Sequence, residues 1–176
     1  MEIQTTYLEG LLVIQLKSFS DERGIFYELF NHTKLSLIKE NFLQDNISIS
    51  EKSVLRGLHF QKPPHSQAKF VAVLKGKVLD VVVDIRKNSA TFGKHFKIEL
   101  SSENKKALWI PVGFAHGFVT LESDTIFYYK CSNLYNKEFE SGIVWNDTTL
   151  KIDWTVTNPI LSLRDQNLPN FNDLAS

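Results

Sequence analysis

From residue 44 to residue 131 the chain is a succession of short runs rich in β-branched and aromatic residues. The runs span 44–50, 54–60, 69–74, 78–85, 96–100, 106–110, 117–121 and 125–131. Turn-forming residues sit between many of them, at Lys62-Pro63-Pro64, Lys75-Gly76-Lys77, 101–104 and Pro111-Val112-Gly113. So many strands at this spacing, with little helical periodicity, restrict the fold to an all-β sandwich or barrel, of which a jelly roll fits best. Two earlier runs, 11–16 and 25–30, flank a turn-like stretch at 18–24. One helix is expected over 33–41, where Leu35, Leu37 and Ile38 recur behind Thr33 as N-cap. Past Trp145 the pattern turns irregular, and the end of the chain, 163–176, is expected to wrap the barrel. With no repeat, low-complexity tract or linker, residues 1–176 read as one domain.

The run 78–85 says most about the interior. Val78, Asp80, Val82 and Asp84 share one face, and Leu79, Val81, Val83 and Ile85 the other. If the apolar face is core, the two aspartates need water, partners or a polar cavity. A small barrel with a polar interior supplies such a cavity.

Charge and cysteine usage narrow the partners. Twenty basic and 20 acidic residues cancel, whereas a duplex nucleic-acid binder normally carries a basic excess, so no nucleic acid is expected. Cys131 is the only cysteine, which excludes an intrachain disulfide and a cysteine-rich zinc cluster. The N-terminal MEIQTTYLEG lacks the apolar core of a signal peptide, and no apolar run approaches a membrane span. No membrane partner is expected, and cytoplasmic localisation is.

Five histidines are present: His32, His59, His65, His95 and His116. A metal-binding barrel needs a His-x-His pair beside a carboxylate. The string Gly57-Leu58-His59-Phe60-Gln61 lacks the second histidine, so no metal and no cofactor are expected. His59 then has two readings, a proton carrier near neutral pH or a packing histidine. Arg56 and Lys69 nearby suit an anionic substrate and a developing oxyanion, and equally suit solvated strand ends. Strict alternation puts Arg56 and His59 on opposite faces, unless Gly57 marks a bulge that turns both inward. In Phe127-Tyr128-Tyr129-Lys130-Cys131 only one tyrosine faces the interior; Tyr129 is the candidate proton donor, with a packing role as the alternative.

Taken together, these segments resemble the dTDP-4-dehydrorhamnose 3,5-epimerase family of the cupin superfamily. The resemblance runs through Asp21-Glu22-Arg23-Gly24-Ile25-Phe26, Val54-Leu55-Arg56-Gly57-Leu58-His59-Phe60-Gln61 and Gln67-Ala68-Lys69. It continues through Asp80-Val81-Val82-Val83-Asp84-Ile85-Arg86, Thr91-Phe92-Gly93, Gly113-Phe114-Ala115-His116-Gly117-Phe118 and Tyr129-Lys130-Cys131. It closes with Trp145-Asn146-Asp147, Ile152-Asp153-Trp154 and Leu161-Ser162-Leu163-Arg164-Asp165. One such string is weak evidence; the whole order over one chain is specific.

The resemblance implies an all-β, cupin-type jelly-roll barrel with a few short helices. It implies inversion of carbons 3 and 5 in a dTDP-linked 4-keto-6-deoxy sugar, as in dTDP-L-rhamnose biosynthesis. On that analogy His59 removes a proton, Asp165 orients the imidazole, Lys69 stabilises the enolate oxygen and Tyr129 returns a proton from the opposite face. The residues matching the family's nucleotide or sugar contacts are Arg23, Glu28, Gln44, Asn46, Arg56, His116, Glu140 and Arg164. Phe26 and Tyr135 offer flat surfaces for thymine. The resemblance also implies a homodimer in which Arg23 and Glu28 reach the partner's site. One departure is Leu134-Tyr135, where the family often has two tyrosines.

Other functions stay open at this level. An epimerase acting at one carbon only, or on a related nucleotide-linked keto-sugar, uses the same residues. A sugar-binding barrel without catalysis needs no such set, and a metal-dependent cupin oxygenase needs a metal.

Overall fold

The computed structural model describes residues 1–175; Ser176, last in the stretch expected to wrap the barrel, lies outside the described residues. The first four strands are β1 (Glu2–Thr5), β2 (Leu12–Gln15), β3 (Ser18–Asp21) and β4 (Gly24–Tyr27). Next come β5 (Gln44–Ser50), β6 (Leu55–Gln61), β7 (Lys69–Lys75), β8 (Lys77–Asp84) and β9 (His95–Ser101). The last four are β10 (Lys106–Ile110), β11 (Phe114–Thr120), β12 (Thr125–Cys131) and β13 (Glu140–Gly142). Two short helices close the chain, α1 (Leu163–Gln166) and α2 (Phe171–Ala175).

Two antiparallel sheets form a cupin-like jelly roll. One has the order β1-β2-β10-β7-β12-β5, the other β13-β6-β11-β8-β9, and β3 and β4 form a separate two-stranded sheet. Non-sequential neighbours such as β7 between β10 and β12 are the crossovers of a Greek-key arrangement. Between the sheets lies an apolar core to which both contribute, including Val71, Leu108 and Phe127 from one and Val82, Phe114 and Phe118 from the other. Phe127 is fully buried and stacks on Phe118 with ring centroids 4.0 Å apart. Truncating such a side chain costs about 3–5 kcal/mol.

Both sheets are also covered on the outside, which explains why their strands do not alternate cleanly. Residues 28–43 lie across the six-stranded sheet, with Leu35 and Ile38 buried on Phe70 and Trp109. There Phe30 and Phe42 meet Phe70 and Trp109 edge to face. The tail covers the five-stranded sheet, placing Ile143, Leu150, Trp154 and Phe171 against Val81, Val83, Ala115 and Val119. Strands buried on both faces read as continuous apolar runs. Both faces of β8 are therefore core. Its aspartates are fully buried and satisfied: Asp80 pairs with His116, and Asp84 takes hydrogen bonds from Arg86, Ser89 and Thr91.

Three local expectations change. The helix expected over 33–41 is absent: residues 32–37 form turns, and Leu37 is 64% exposed while Leu35 and Ile38 are buried. In place of the expected Thr33 cap, Asn31 closes a turn, its Oδ1 accepting the Lys34 amide at 3.1 Å. Packing onto Phe70 and Trp109 overrides local helix preference. The turn-like stretch 18–24 begins instead as β3, folded back on β4. The irregular tail contains α1 and α2.

At Gly57 the β6–β11 ladder slips. His116 pairs with His59 and Phe118 with Arg56, so Gly57 and Leu58 together oppose Gly117. This is a β-bulge. Gly57 has φ +116, and a Cβ there would lie 2.6 Å from the Gly117 Cα and 2.7 Å from the His116 carbonyl oxygen. Only glycine fits. The extra residue cancels the alternation that would separate Arg56 from His59.

Candidate active site

Because of the bulge, Arg56 and His59 both face a cavity at one end of the barrel. Lys69 enters it from the first residue of β7, and Tyr129 from β12. Asp165 arrives on α1, shortly after a backbone bridge that pairs Ile160 with Val54, the residue before β6. The cavity comprises two hollows of about 260 and 280 Å³ that share His59, Lys69, Tyr129 and Glu140. Arg56, His116 and Arg164 line one hollow; Gln44, Asn46 and Tyr135 line the other.

The His59 Nε2 atom lies 2.5 Å from Asp165 Oδ1. Asp165 is buried, and burial raises its carboxyl pKa, but His59, Ser162 and Arg164 outweigh this and hold it below the ordinary value. With Nε2 engaged, Nδ1 is the ring nitrogen left for another partner. Desolvation lowers the Lys69 ammonium from the ordinary lysine value, against the opposing pull of Cys131, Asp80 and Glu140. The same effect raises the Tyr129 phenol, helped by Cys131 and Glu140 and opposed by Arg56. A neutral phenol, an imidazole backed by a carboxylate, and an amine thus line one cavity. That set suits moving protons at a carbon acidified by a neighbouring carbonyl.

A sequence model of the dTDP-4-dehydrorhamnose 3,5-epimerase family matches residues 5–173. The chain belongs to this family. A dTDP-4-dehydrorhamnose 3,5-epimerase of Shigella flexneri is 48% identical over 176 residues, covering 98% of this chain and 97% of its own. The crystal structure of such an enzyme from Elizabethkingia anophelis superposes with a TM-score of 0.92 at 49% identity, covering 98% of this chain and 97% of that one. A Legionella pneumophila 3,5-epimerase crystallised with dTDP-4-keto-L-rhamnose matches with a TM-score of 0.92 at 44% identity, covering 97% and 93%. As a member of the epimerase family the chain is an isomerase.

Within this epimerase-family chain the remaining expected contact residues divide. Tyr135 donates its hydroxyl to Glu140 at 2.5 Å, and Arg164 donates to the same carboxylate oxygen. Gln44 accepts the Tyr135 amide at 2.8 Å and donates to Asn46, whose amide reaches the Cys131 sulfur at 3.8 Å. His116 Nε2 lies 2.9 Å from Asp80 Oδ2, with both residues buried. Tyr128 points outward, where Lys130 donates to its hydroxyl at 3.3 Å. Arg23, Phe26 and Glu28 do not reach this cavity. Arg23 pairs with Asp21, Phe26 is 72% exposed on the β3–β4 hairpin, and Glu28 pairs with Lys34.

Gln61, Cys131 and Ser162 are among the lining residues that were not anticipated. Gln61 is buried and ties two loops together, accepting the Asn136 amide at 2.7 Å and donating to the carbonyls of His65 and Leu134. Cys131 lies directly opposite Lys69 in the β7–β12 ladder. Ser162 bonds to Asp165. Inward alternation from His59 and from Tyr129 points to the first two. Among the described residues no three His, Cys, Asp or Glu side chains group so as to hold a metal ion, and no helix is long and apolar enough to cross a membrane.

Proposed function

We propose that the chain is a cytoplasmic enzyme, working as one unit over residues 1–176, that epimerises carbons 3 and 5 of dTDP-4-dehydro-6-deoxy-D-glucose. The product is dTDP-4-dehydro-L-rhamnose. The observation that carries this reading is the His59–Asp165 pair opening on the same cavity as Lys69 and Tyr129. The ketone at carbon 4 acidifies the C–H bonds on either side. His59 Nδ1 takes one such proton, and the electron pair becomes an enolate whose oxygen the Lys69 ammonium stabilises. Tyr129 then gives its phenolic proton to the opposite face of that carbon, inverting it. Asp165 holds the imidazole in one orientation and offsets the positive charge it gains. Arg56 and Arg164 supply guanidinium forks for the diphosphate, and Tyr135 a flat surface for thymine.

Pairing of two chains is part of the proposal. Ile47 and Ile49, on the outer face of edge strand β5, are 63% and 66% exposed, and Ile25 and Phe26 on the hairpin are similarly bare. Contiguous exposed apolar side chains favour a protein partner. In the proposed homodimer the hairpin of one chain carries Arg23, Phe26 and Glu28 to the other's cavity.

The test is turnover of the keto-sugar in D₂O. Deuterium is expected at both carbons, and His59→Ala is expected to lose turnover by about 10²–10⁴-fold while dTDP binding survives. Deuterium at one carbon only assigns a single epimerisation, and turnover retained in the variant removes His59 as the base.

A further inference from the structure

Asp165 uses both carboxylate oxygens. Oδ1 faces His59 Nε2 at 2.5 Å, and Oδ2 accepts the Ser162 hydroxyl at 2.9 Å. The same Ser162 oxygen accepts the Asp165 backbone N–H at 3.0 Å. With its acceptor role filled by that amide, the hydroxyl hydrogen is free to point at Oδ2. One side chain therefore grips both the main chain and the carboxylate of Asp165. The spacing Ser162-x-x-Asp165 is that of a capping box, in which the acidic member normally reaches back to the N-cap amide. Here the carboxylate is turned to the imidazole instead, and the serine hydroxyl takes the oxygen left over. Asp165 is only 4% exposed, so bulk water is poorly placed to replace that bond.

We infer that Ser162 is a positioning residue for the reaction: it fixes the rotation of the Asp165 carboxylate and, through it, the tautomer and orientation of His59. A carboxylate without this bond rotates about its last torsion, which is a broad and soft one. Its Oδ1 then leaves the ring nitrogen for part of the time. This inference rests on His59 being the base.

The test separates orientation from helix capping by using Ser162→Gly, since glycine is nearly as good an N-cap as serine but carries no hydroxyl. Expected for S162G is a fall in kcat of about tenfold, the usual scale of one hydrogen bond to a charged group, with KM within twofold and thermal stability close to the parent. The ¹⁵N resonances of the His59 ring, assigned by their loss in His59→Asn, are expected to move from a single Nε2–H tautomer toward a mixture. Ser162→Thr restores the hydroxyl and is expected to recover most of kcat. Parental kcat and unchanged ring resonances in S162G overturn the inference, as does S162T as slow as S162G. If H59N still turns over substrate, the base assignment falls and this inference with it; an inactive H59N beside a fully active S162G removes only the role of Ser162.

Discussion

Lys69 and Tyr129 lie on adjacent strands, and the same loss of solvent moves them in opposite directions. Burial penalises whichever form is charged, so the ammonium gives up its proton more readily and the phenol holds its proton more tightly. The proposed reaction needs both protonated. As pH rises, Lys69 gives up its proton below the ordinary lysine value of about 10.4, while Tyr129 stays neutral beyond its own ordinary value. The alkaline limb of kcat/KM is therefore expected to belong to Lys69. In Lys69→Arg, whose guanidinium keeps its charge, that limb is expected to move upward; in Lys69→Met kcat is expected to fall by about 10²–10³-fold, the loss typical of one oxyanion donor. Steady-state rates across pH for the three proteins check this.

At the scale of elements, the bulge in β6 joins fold to chemistry. Gly57→Ala puts a methyl group against the Gly117 Cα and the His116 carbonyl, in a backbone conformation that only glycine adopts easily. A loss on the order of 3 kcal/mol or more is expected, read from the denaturant midpoint, together with reduced kcat in the folded fraction because Arg56 and His59 no longer share a cavity. The bulge was readable from residue types: a glycine between two residues that both need to face inward. The strands between 44 and 131 were readable too, because their boundaries are set by local turn chemistry at places such as Lys75-Gly76-Lys77. The segment 28–43 was not. Leu35 and Ile38 look helical, yet their burial is decided by Phe70 and Trp109, far along the chain. Ser162 was not anticipated: its spacing to Asp165 is that of a capping box, and nothing local says that the carboxylate turns away to an imidazole 106 residues distant.

For the whole molecule, the distribution of the expected contacts is the informative fact. Most converge on one cavity, while Arg23 and Phe26 sit on the β3–β4 hairpin and Glu28 directly follows it. If two chains exchange these hairpins, each cavity is built from both. Arg23→Ala and His59→Ala, each inactive alone, are then expected to regain about a quarter of parental activity when refolded together, since half of randomly mixed dimers are mixed and each has one intact site. No recovery on mixing argues that each chain works with its own residues alone. Sequence could name those three residues but not their placement, because the spatial relation of β3 and β4 to the barrel is a tertiary property.

The tail that seals the five-stranded sheet is the same piece of chain that delivers Asp165. Shedding it, by nicking or by fraying, uncovers Val81 and Val83 to water and strips the imidazole of its counter-charge in a single event. On the proposed mechanism, damage at this end is thus expected to leave a protein that is sticky and idle together.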